Sequence, residues 1–210
     1  MEKNKNQLDA IVIGSGIGGL VTGTQLASKG AKVLVLEKYI IPGGSGGSFR
    51  RKGYTFDVGA SMIFGFGEHG YTNLLTRALK DVNERCETIP DPVQLEYHLP
   101  NELNLSVDKS YSNFINKLSE KFPHEKEGII KFYGACRKVF NCLDSMPLLS
   151  IEDPTYLFKV FLKSPLSCLG LARWLPINVG DVAKRFIKDP ELLKFIDIEC
   201  FCWSVMPALK

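Results

Sequence analysis

A glycine-rich turn near the start of the chain constrains its fold more than any other feature. Gly14, Gly16 and Gly19 directly follow an apolar run at residues 11–13. The run predicts a buried parallel strand, and the helical spacing of apolar residues after the turn predicts a helix. Gly14 then permits a tight turn, Gly16 lets a phosphate approach the backbone, and Gly19 lets the helix pack closely on the strand. The pattern therefore predicts a βαβ unit whose helix N-terminus receives a pyrophosphate.

An acidic residue completes this pattern. A second apolar run at residues 33–36 follows the predicted helix, and Glu37 stands directly after it. An acidic side chain at about this distance from the glycines binds the ribose hydroxyls of a dinucleotide. Strand, glycine turn, helix, strand and acid occur in order, so we predict dinucleotide binding. The alternative is an ordinary βαβ unit with a glycine-rich turn.

The segment after Glu37 indicates which dinucleotide is bound. Residues 43–48 are all glycine or serine, and a second block with two glycines follows at 53–59. An NAD dehydrogenase needs no such segment, whereas FAD extends past the first βαβ unit. Residues 36–44 resemble the FAD-binding signature of the amine oxidase and phytoene desaturase superfamily. A flexible linker is the alternative, but three aromatic residues make the stretch too apolar for one: Phe49, Tyr54 and Phe56.

The composition is ordinary for a globular protein of one good-sized domain or two small ones: 210 residues, 45% hydrophobic and 23% charged. A net charge of +3 is too small to indicate nucleic-acid binding. The six cysteines include no CxxC pair and give no metal-ligand spacing. We therefore predict packed free thiols, no metal and a reducing compartment.

One apolar segment has two interpretations. Residues 156–175 carry many large apolar side chains, with Lys159, Lys163 and Arg173 among them and Pro165 interrupting. A basic amphipathic segment with tryptophan can lie at a membrane interface. Alternatively, it is a cap helix whose apolar face closes over a substrate tunnel or the core. No apolar run is long enough and free enough of charged residues to span a bilayer. Residues 1–7 show no targeting signal.

The remaining patterns predict a hairpin followed by helices. Apolar and polar residues alternate over 93–98 and 103–108 on either side of Pro100-Asn101, as in an antiparallel hairpin with one buried face. Helical spacing and capping residues predict helices in three places: residues 73–79, residues 129–143, and after Asp189-Pro190. The predicted fold is α/β, with a Rossmann-like FAD-binding domain at residues 1–90. The hairpin and part of a helical substrate or cap domain occupy residues 91–210.

Three blocks of the sequence resemble the carotenoid isomerases, flavoproteins that convert poly-cis lycopene to all-trans lycopene. They lie at residues 41–59, 121–133 and 187–201, and the resemblance covers nearly the whole chain from Asp9 onward. The last two blocks are specific to this family, and residues 202–208 are closer to its isomerase-like branch.

The resemblance implies reduced FAD, a hydrophobic polyene substrate such as prolycopene, and a cis–trans isomerisation in carotenoid biosynthesis. The chemistry would be that of the flavin. A plastid location with possible membrane contact is also implied, or a cytoplasmic one if the source is bacterial.

The predicted cofactor contacts come from the motif and from the resemblance. The motif and its neighbours predict contacts with the pyrophosphate and adenosine: Gly14, Ser15, Gly16, Gly18, Gly19, Glu37 and Lys38. The resemblance implies two further groups: Gly43, Gly44 and Ser45 after the ribose acid, and Gly59, Ala60 and Ser61 on the approach to the flavin ring. No catalytic residue is predicted.

Family members are much longer than this chain, which stops inside the predicted cap at residues 208–210. A truncated substrate domain is therefore expected. Two other functions stay open. A carotenoid desaturase or amine oxidase would use oxidised flavin as a hydride acceptor, and a non-catalytic FAD-binding fragment would carry out no reaction.

Overall fold

A computed structural model describes residues 7–59, 64–89, 92–93, 95–101, 103–146, 153–174, 176–204 and 206–208. The chain divides into two compact units, Met1–Thr88 and Ile89–Lys210. Strands and helices occur in both units, which confirms the predicted α/β class.

The first unit begins with the predicted βαβ arrangement. Strand β1 (Ala10–Ile13) is followed by helix α1 (Ile17–Ser28) and strand β2 (Val33–Leu36). The two strands are parallel, in a register that pairs Ala10 with Val33 and Ile13 with Leu36. The prediction of a parallel strand entering a glycine turn and a helix is therefore confirmed.

The prediction that β1 is buried is wrong for half of its side chains. Ile11 is 57% exposed and Ile13 is 88% exposed, whereas Val12 is half-buried. Successive side chains of a strand point to opposite faces of the sheet, and α1 covers only one of them. That covered face is tightly packed, because a Cβ placed at Gly23 of α1 would lie 2.9 Å from Cγ2 of Val35.

The glycine-rich segment after β2 is ordered and is not a flexible linker. A 3-10 turn at Gly44–Gly46 leads into an antiparallel hairpin of β3 (Ser48–Arg51) and β4 (Tyr54–Asp57). The rings of Phe49 and Phe56 stack across the hairpin, 5.3 Å apart. Helix α2 (Leu74–Lys80) follows, close to the predicted bounds.

The described residues of the second unit form the predicted hairpin and six helices of at least eight residues. Strands β5 (Leu95–Leu99) and β6 (Leu103–Val107) are antiparallel. The helices are α3 (Tyr111–Lys121), α4 (Lys126–Ser145), α5 (Pro154–Lys163), α6 (Pro165–Trp174), α7 (Val179–Phe186) and α8 (Pro190–Ser204). The hairpin shares one core with α3, α4, α7 and α8, and α5 and α6 contribute Val160 and Leu171 to a second, smaller cluster with Met146. The largest fully buried side chains of the first core are Leu118, Ile129, Phe132, Ile187, Leu192, Phe195 and Ile196.

Two helix predictions in this unit have different outcomes. Asp189 caps α8 as predicted, because its Oδ1 accepts hydrogen bonds from the N–H groups of Glu191 at 2.8 Å and Leu192 at 2.9 Å. The apolar face predicted for α4 is only partly buried, since Phe140 is 53% exposed and Leu143 is 41% exposed. Both side chains lie on the wall of an open, apolar cavity of about 290 Å³ and are not packed in the core.

The other wall of this cavity comes from Trp174 at the end of α6 and from residues at the start of α7. Among the described residues, no helix has the length and apolarity needed to cross a membrane.

Candidate functional site

The glycine turn between β1 and α1 has the geometry of an anion-binding loop. Gly14 has φ +96°, a backbone conformation that favours glycine, and its N–H bonds to the carbonyl of Leu36 at 2.7 Å. A Cβ at Gly19 would overlap the carbonyl oxygen of Gly14, so the helix and the turn approach as closely as the sequence predicted. The turn is therefore tied to both β2 and α1.

Open space lies in front of this turn. A Cβ built at Gly16 or Gly18 would meet no atom within 4 Å. The first hydrogen bond of α1 runs from the N–H of Leu20 to the carbonyl of Gly16, so the N–H groups of Ile17, Gly18 and Gly19 have no acceptor within the helix. Such N–H groups at a helix N-terminus, beside open space, fit the phosphates of a dinucleotide.

Glu37 lies beside the same turn and is held by hydrogen bonds from Ser15, Tyr39 and the backbone of Lys38. Its Oε2 accepts from the Ser15 N–H at 2.6 Å and from the Ser15 hydroxyl at 2.7 Å, and its Oε1 accepts from the Tyr39 N–H at 2.9 Å. These bonds lower the pKa of the Glu37 carboxyl to about 2, with the Tyr39 N–H as the largest cause and Ser15 next. Glu37 is therefore an ionised hydrogen-bond acceptor at neutral pH.

The sequence placed Glu37 in the site but did not predict its bonds to Ser15. Ser15 was expected to contact the cofactor as a member of the motif. Its side chain is 3% exposed and points to Glu37. A hydroxyl residue between two glycines was the only signal in the sequence. Lys38, the next predicted contact, has an exposed side chain.

The second glycine segment packs directly on the first. The N–H of Gly43 bonds to the carbonyl of Ser15 at 2.8 Å, and Gly43 forms an isolated β-bridge with Gly16. A Cβ at Gly44 would lie 3.1 Å from the Cα of Gly16, so only glycine allows this approach without a shift. Two segments separated by a helix and a strand thus meet at one turn.

Gly59, from the last group of predicted cofactor residues, lies next to the second glycine segment. A Cβ at Gly59 would lie 3.6 Å from the carbonyl oxygen of Ser45, which places these two residues side by side. Ala60 and Ser61 lie outside the described residues. The structure therefore brings most of the predicted cofactor residues into one continuous surface of the first unit.

The second unit holds a half-buried acid, Glu199, that the motif analysis missed. The hydroxyl of Tyr133 on α4 donates to Oε2 of Glu199 on α8 at 2.6 Å. Burial raises the pKa of the Glu199 carboxyl to about 7. Burial, and then the charge of Glu199, raises the pKa of the nearby Cys136 thiol to about 11. The sequence did offer a signal for this position. Glu199 follows the buried Phe195 and Ile196 by four and three positions, so it lies on the same face of α8 as these two core residues.

The described part of the chain contains no cluster of His, Cys, Asp or Glu that could hold a metal ion. All six cysteines are free thiols. Cys136 lies in the wall of the apolar cavity, where a thiol packs as a small hydrophobic side chain.

Comparison with known proteins agrees with the first unit's architecture. Residues 12–79 match the family model described as an NAD(P)-binding Rossmann-like domain. The match covers the second half of β1, then α1, β2, the glycine segment and nearly all of α2. It confirms the Rossmann-like fold that the glycine motif predicted.

The chain is similar over nearly its whole length to chloroplastic prolycopene isomerases. It is 59% identical to that of Daucus carota over 97% of the chain, and 58% identical to that of Arabidopsis thaliana over 96% of the chain. The matches cover 33% and 34% of those proteins, so the chain spans about a third of their length. A neurosporene-forming phytoene desaturase of Cereibacter sphaeroides is 44% identical over 59% of the chain and 23% of its own length.

Proposed function

Because the chain is a homologue of the prolycopene isomerases, we propose that it acts in the cis–trans isomerisation of poly-cis carotenoids such as prolycopene to all-trans lycopene. The identity of 59% across both units of the chain is the observation that carries this proposal. Since the chain corresponds to about a third of each relative, it supplies cofactor- and substrate-binding surfaces for that reaction. The family resemblance of residues 121–133 and 187–201 gives further support.

The proposed cofactor is FAD in its reduced form. The N–H groups after Gly16 would hold the pyrophosphate, and Glu37 would hold the adenosine ribose. Gly43, Gly44 and the Ser45–Gly59 contact would continue toward the flavin, since this surface extends beyond the βαβ unit. When bound, reduced FAD supplies electron density that lowers the bond order of a cis double bond. The protein's own contribution is to bind and orient the flavin.

The second unit offers a surface for a hydrophobic substrate. Its cavity of about 290 Å³ is lined only by apolar side chains, Cys136 among them. Polyenes carry no charge and gain free energy when apolar surface leaves water. The cavity therefore supports the proposed polyene substrate of this unit.

We assign peripheral membrane contact to helices α5 and α6. Four large apolar side chains on these helices are more than half exposed: Phe158 at 62%, Leu162 at 64%, Leu166 at 84% and Leu169 at 60%. Lys159, Lys163 and Arg173 lie among them. Exposed apolar residues with interspersed basic side chains bind the interface of an anionic bilayer. A plastid membrane is the proposed location, because the two plant relatives are chloroplastic.

A desaturase is the second candidate, favoured by the 44% identity to the phytoene desaturase. A desaturase oxidises its substrate and reduces an electron acceptor. An isomerase changes the configuration of a double bond but leaves the oxidation state of the substrate unchanged and needs no acceptor. Anaerobic incubation of the chain with prolycopene and dithionite-reduced FAD separates the two. We expect all-trans lycopene, identified by its chromatographic retention and absorption spectrum, without any electron acceptor.

Reduced FAD without protein is the control for this reaction. Conversion that requires oxidised FAD and an added acceptor, or a product with more double bonds, would support the desaturase. No conversion by a chain that binds FAD would contradict the isomerase activity and leave the cofactor assignment standing.

The membrane proposal has a separate test. The double substitution Phe158→Glu and Leu166→Glu should lower the partition of the chain onto phosphatidylglycerol-containing vesicles by about tenfold or more, because burying one such side chain is worth about 1.5–3 kcal/mol. Co-sedimentation measures the bound fraction. Ile40→Glu, at a residue of the first unit that is 89% exposed, is the matched control and should bind normally. Equal binding by all three proteins would contradict the assigned face.

A further inference from the structure

Helix α5 carries a basic stripe beside its exposed apolar stripe. Residues three or four positions apart share a helix face, so Tyr156, Lys159 and Lys163 lie on one face of α5. By the same spacing, the exposed Phe158 and Leu162 lie on another face. The two faces are about 100° apart around the helix, because each residue precedes its neighbour by that angle. A surface that buries the apolar stripe therefore meets the basic stripe at its border.

The basic stripe lies on only one side of the apolar stripe. Val160 is buried and packs into the smaller core cluster of the second unit. Going around the helix, the basic stripe falls between Val160 and Leu162. The opposite flank passes through Leu157 and Ser164 and carries no cation. The two lysines are thus placed between the body of the second unit and the apolar stripe.

The basic stripe lines a cavity of about 480 Å³, to which Tyr156, Lys159, Val160, Leu162 and Lys163 contribute. Binding sites for small molecules have volumes of roughly 300–1,000 Å³. Within the described part of the chain, neither Lys159 nor Lys163 has an ion-pair or hydrogen-bond partner. Like charges one helical turn apart repel each other. An anion bound in the cavity would neutralise both ammonium groups.

We propose that Lys159 and Lys163 form a site for the phosphate group of one anionic phospholipid, whose acyl chains lie along Phe158 and Leu162. This inference rests on the membrane contact proposed above for α5 and α6. The lysine ammonium binds phosphate as a point charge. The adjoining apolar stripe favours a lipid over a soluble phosphate compound, which would leave that stripe exposed to water.

The experiment compares the binding of the 210-residue chain to phosphatidylcholine vesicles with and without phosphatidylglycerol, by co-sedimentation. Each lysine at an anionic surface contributes about fivefold to the affinity. The double substitution Lys159→Gln and Lys163→Gln should therefore lower the partition onto phosphatidylglycerol-containing vesicles by about tenfold or more. Both side chains are exposed, so the substitutions should leave thermal unfolding unchanged. Lys159→Arg with Lys163→Arg keeps both charges and should bind normally.

A second double variant separates a defined site from an effect of net charge. Lys138→Gln with Lys184→Gln removes the same charge from exposed positions on α4 and α7. Its partition should stay within about twofold of that of the unaltered chain, because these lysines lie outside the proposed site. Inorganic phosphate, at the concentration of the accessible lipid phosphate and at equal ionic strength, should not displace the unaltered chain from the vesicles.

Equal losses in the two glutamine double variants would overturn the defined site and leave only attraction by net charge. Displacement by inorganic phosphate would show a site for a free anion and would overturn the lipid assignment. Normal binding by the Lys159→Gln, Lys163→Gln chain, together with a loss in the Phe158→Glu, Leu166→Glu chain, would contradict the phosphate site and leave the membrane contact standing. An unaltered chain that binds neither kind of vesicle would contradict both proposals.

Discussion

Gly16→Val is expected to abolish FAD binding while leaving the chain folded. A Cβ at Gly16 meets no protein atom within 4 Å, so the valine can be accommodated by the folded unit. The same space lies at the N-terminus of α1, whose first N–H groups have no acceptor within the helix and where the pyrophosphate would sit. A side chain there would exclude the phosphates, and each charge-assisted hydrogen bond lost is worth about 1.5–3 kcal/mol. The affinity should therefore fall by about a hundredfold or more.

Quenching of flavin fluorescence during titration measures this affinity, and circular dichroism during heating measures the fold. Gly134→Val is the matched control. A Cβ at Gly134 of α4 also meets no atom within 4 Å, but Gly134 belongs to the second unit. We expect the control to keep normal flavin affinity. Unchanged affinity in the Gly16→Val protein would mean that the cofactor lies elsewhere.

The elements predicted best are those fixed by local sequence. The βαβ unit and the β5–β6 hairpin follow from periodicity and from turn residues that act within a few positions. The exposure of Ile11 and Ile13 could not be predicted in this way, because it depends on which element covers each face of the sheet. The β3–β4 hairpin was missed because each of its strands has only four residues, too few for a clear periodicity, and all eight residues are exposed.

The candidate site shows the same division. The tight turn at Gly14 and the close helix packing at Gly19 were predicted from the sterics of one turn. The structure shows both, because Gly14 has φ +96° and a Cβ at Gly19 would overlap the carbonyl oxygen of Gly14. Contact between Gly16 and Gly44 joins two distant segments. The motif named Gly16 and the resemblance named Gly44, but neither showed that they touch. The hydrogen bond from the Ser15 hydroxyl to Glu37 depends on the side-chain rotamers of two residues on different segments of the chain. The spacing of residues in the sequence does not predict these rotamers.

Glu199 is expected to make the stability of the second unit depend on pH between about 4.5 and 7. The folded-state pKa is raised to about 7 from 4.5. Over that interval the unfolded chain loses the proton while the folded chain keeps it, so the free energy of unfolding falls as pH rises. The shift corresponds to about 3 kcal/mol, fully lost above pH 7. Among the groups facing Glu199, the Tyr133 hydroxyl donates to it, and the thiols of Cys136 and Cys200 have pKa values raised to about 11.

Glu199→Gln tests this expectation, because glutamine still accepts the Tyr133 hydroxyl but does not ionise. Both tryptophans of the chain, Trp174 and Trp203, belong to the second unit, so tryptophan fluorescence during urea unfolding reports that unit. The difference in unfolding free energy between the Gln variant and the unaltered chain should grow in favour of Gln from pH 4.5 to 7. Glu127→Gln is the control, since that side chain is 87% exposed and pairs with Lys131 at 3.0 Å. A difference that stays constant across this interval would show that Glu199 is ionised in the folded chain, and that the Tyr133–Glu199 contact holds a charge and not a proton.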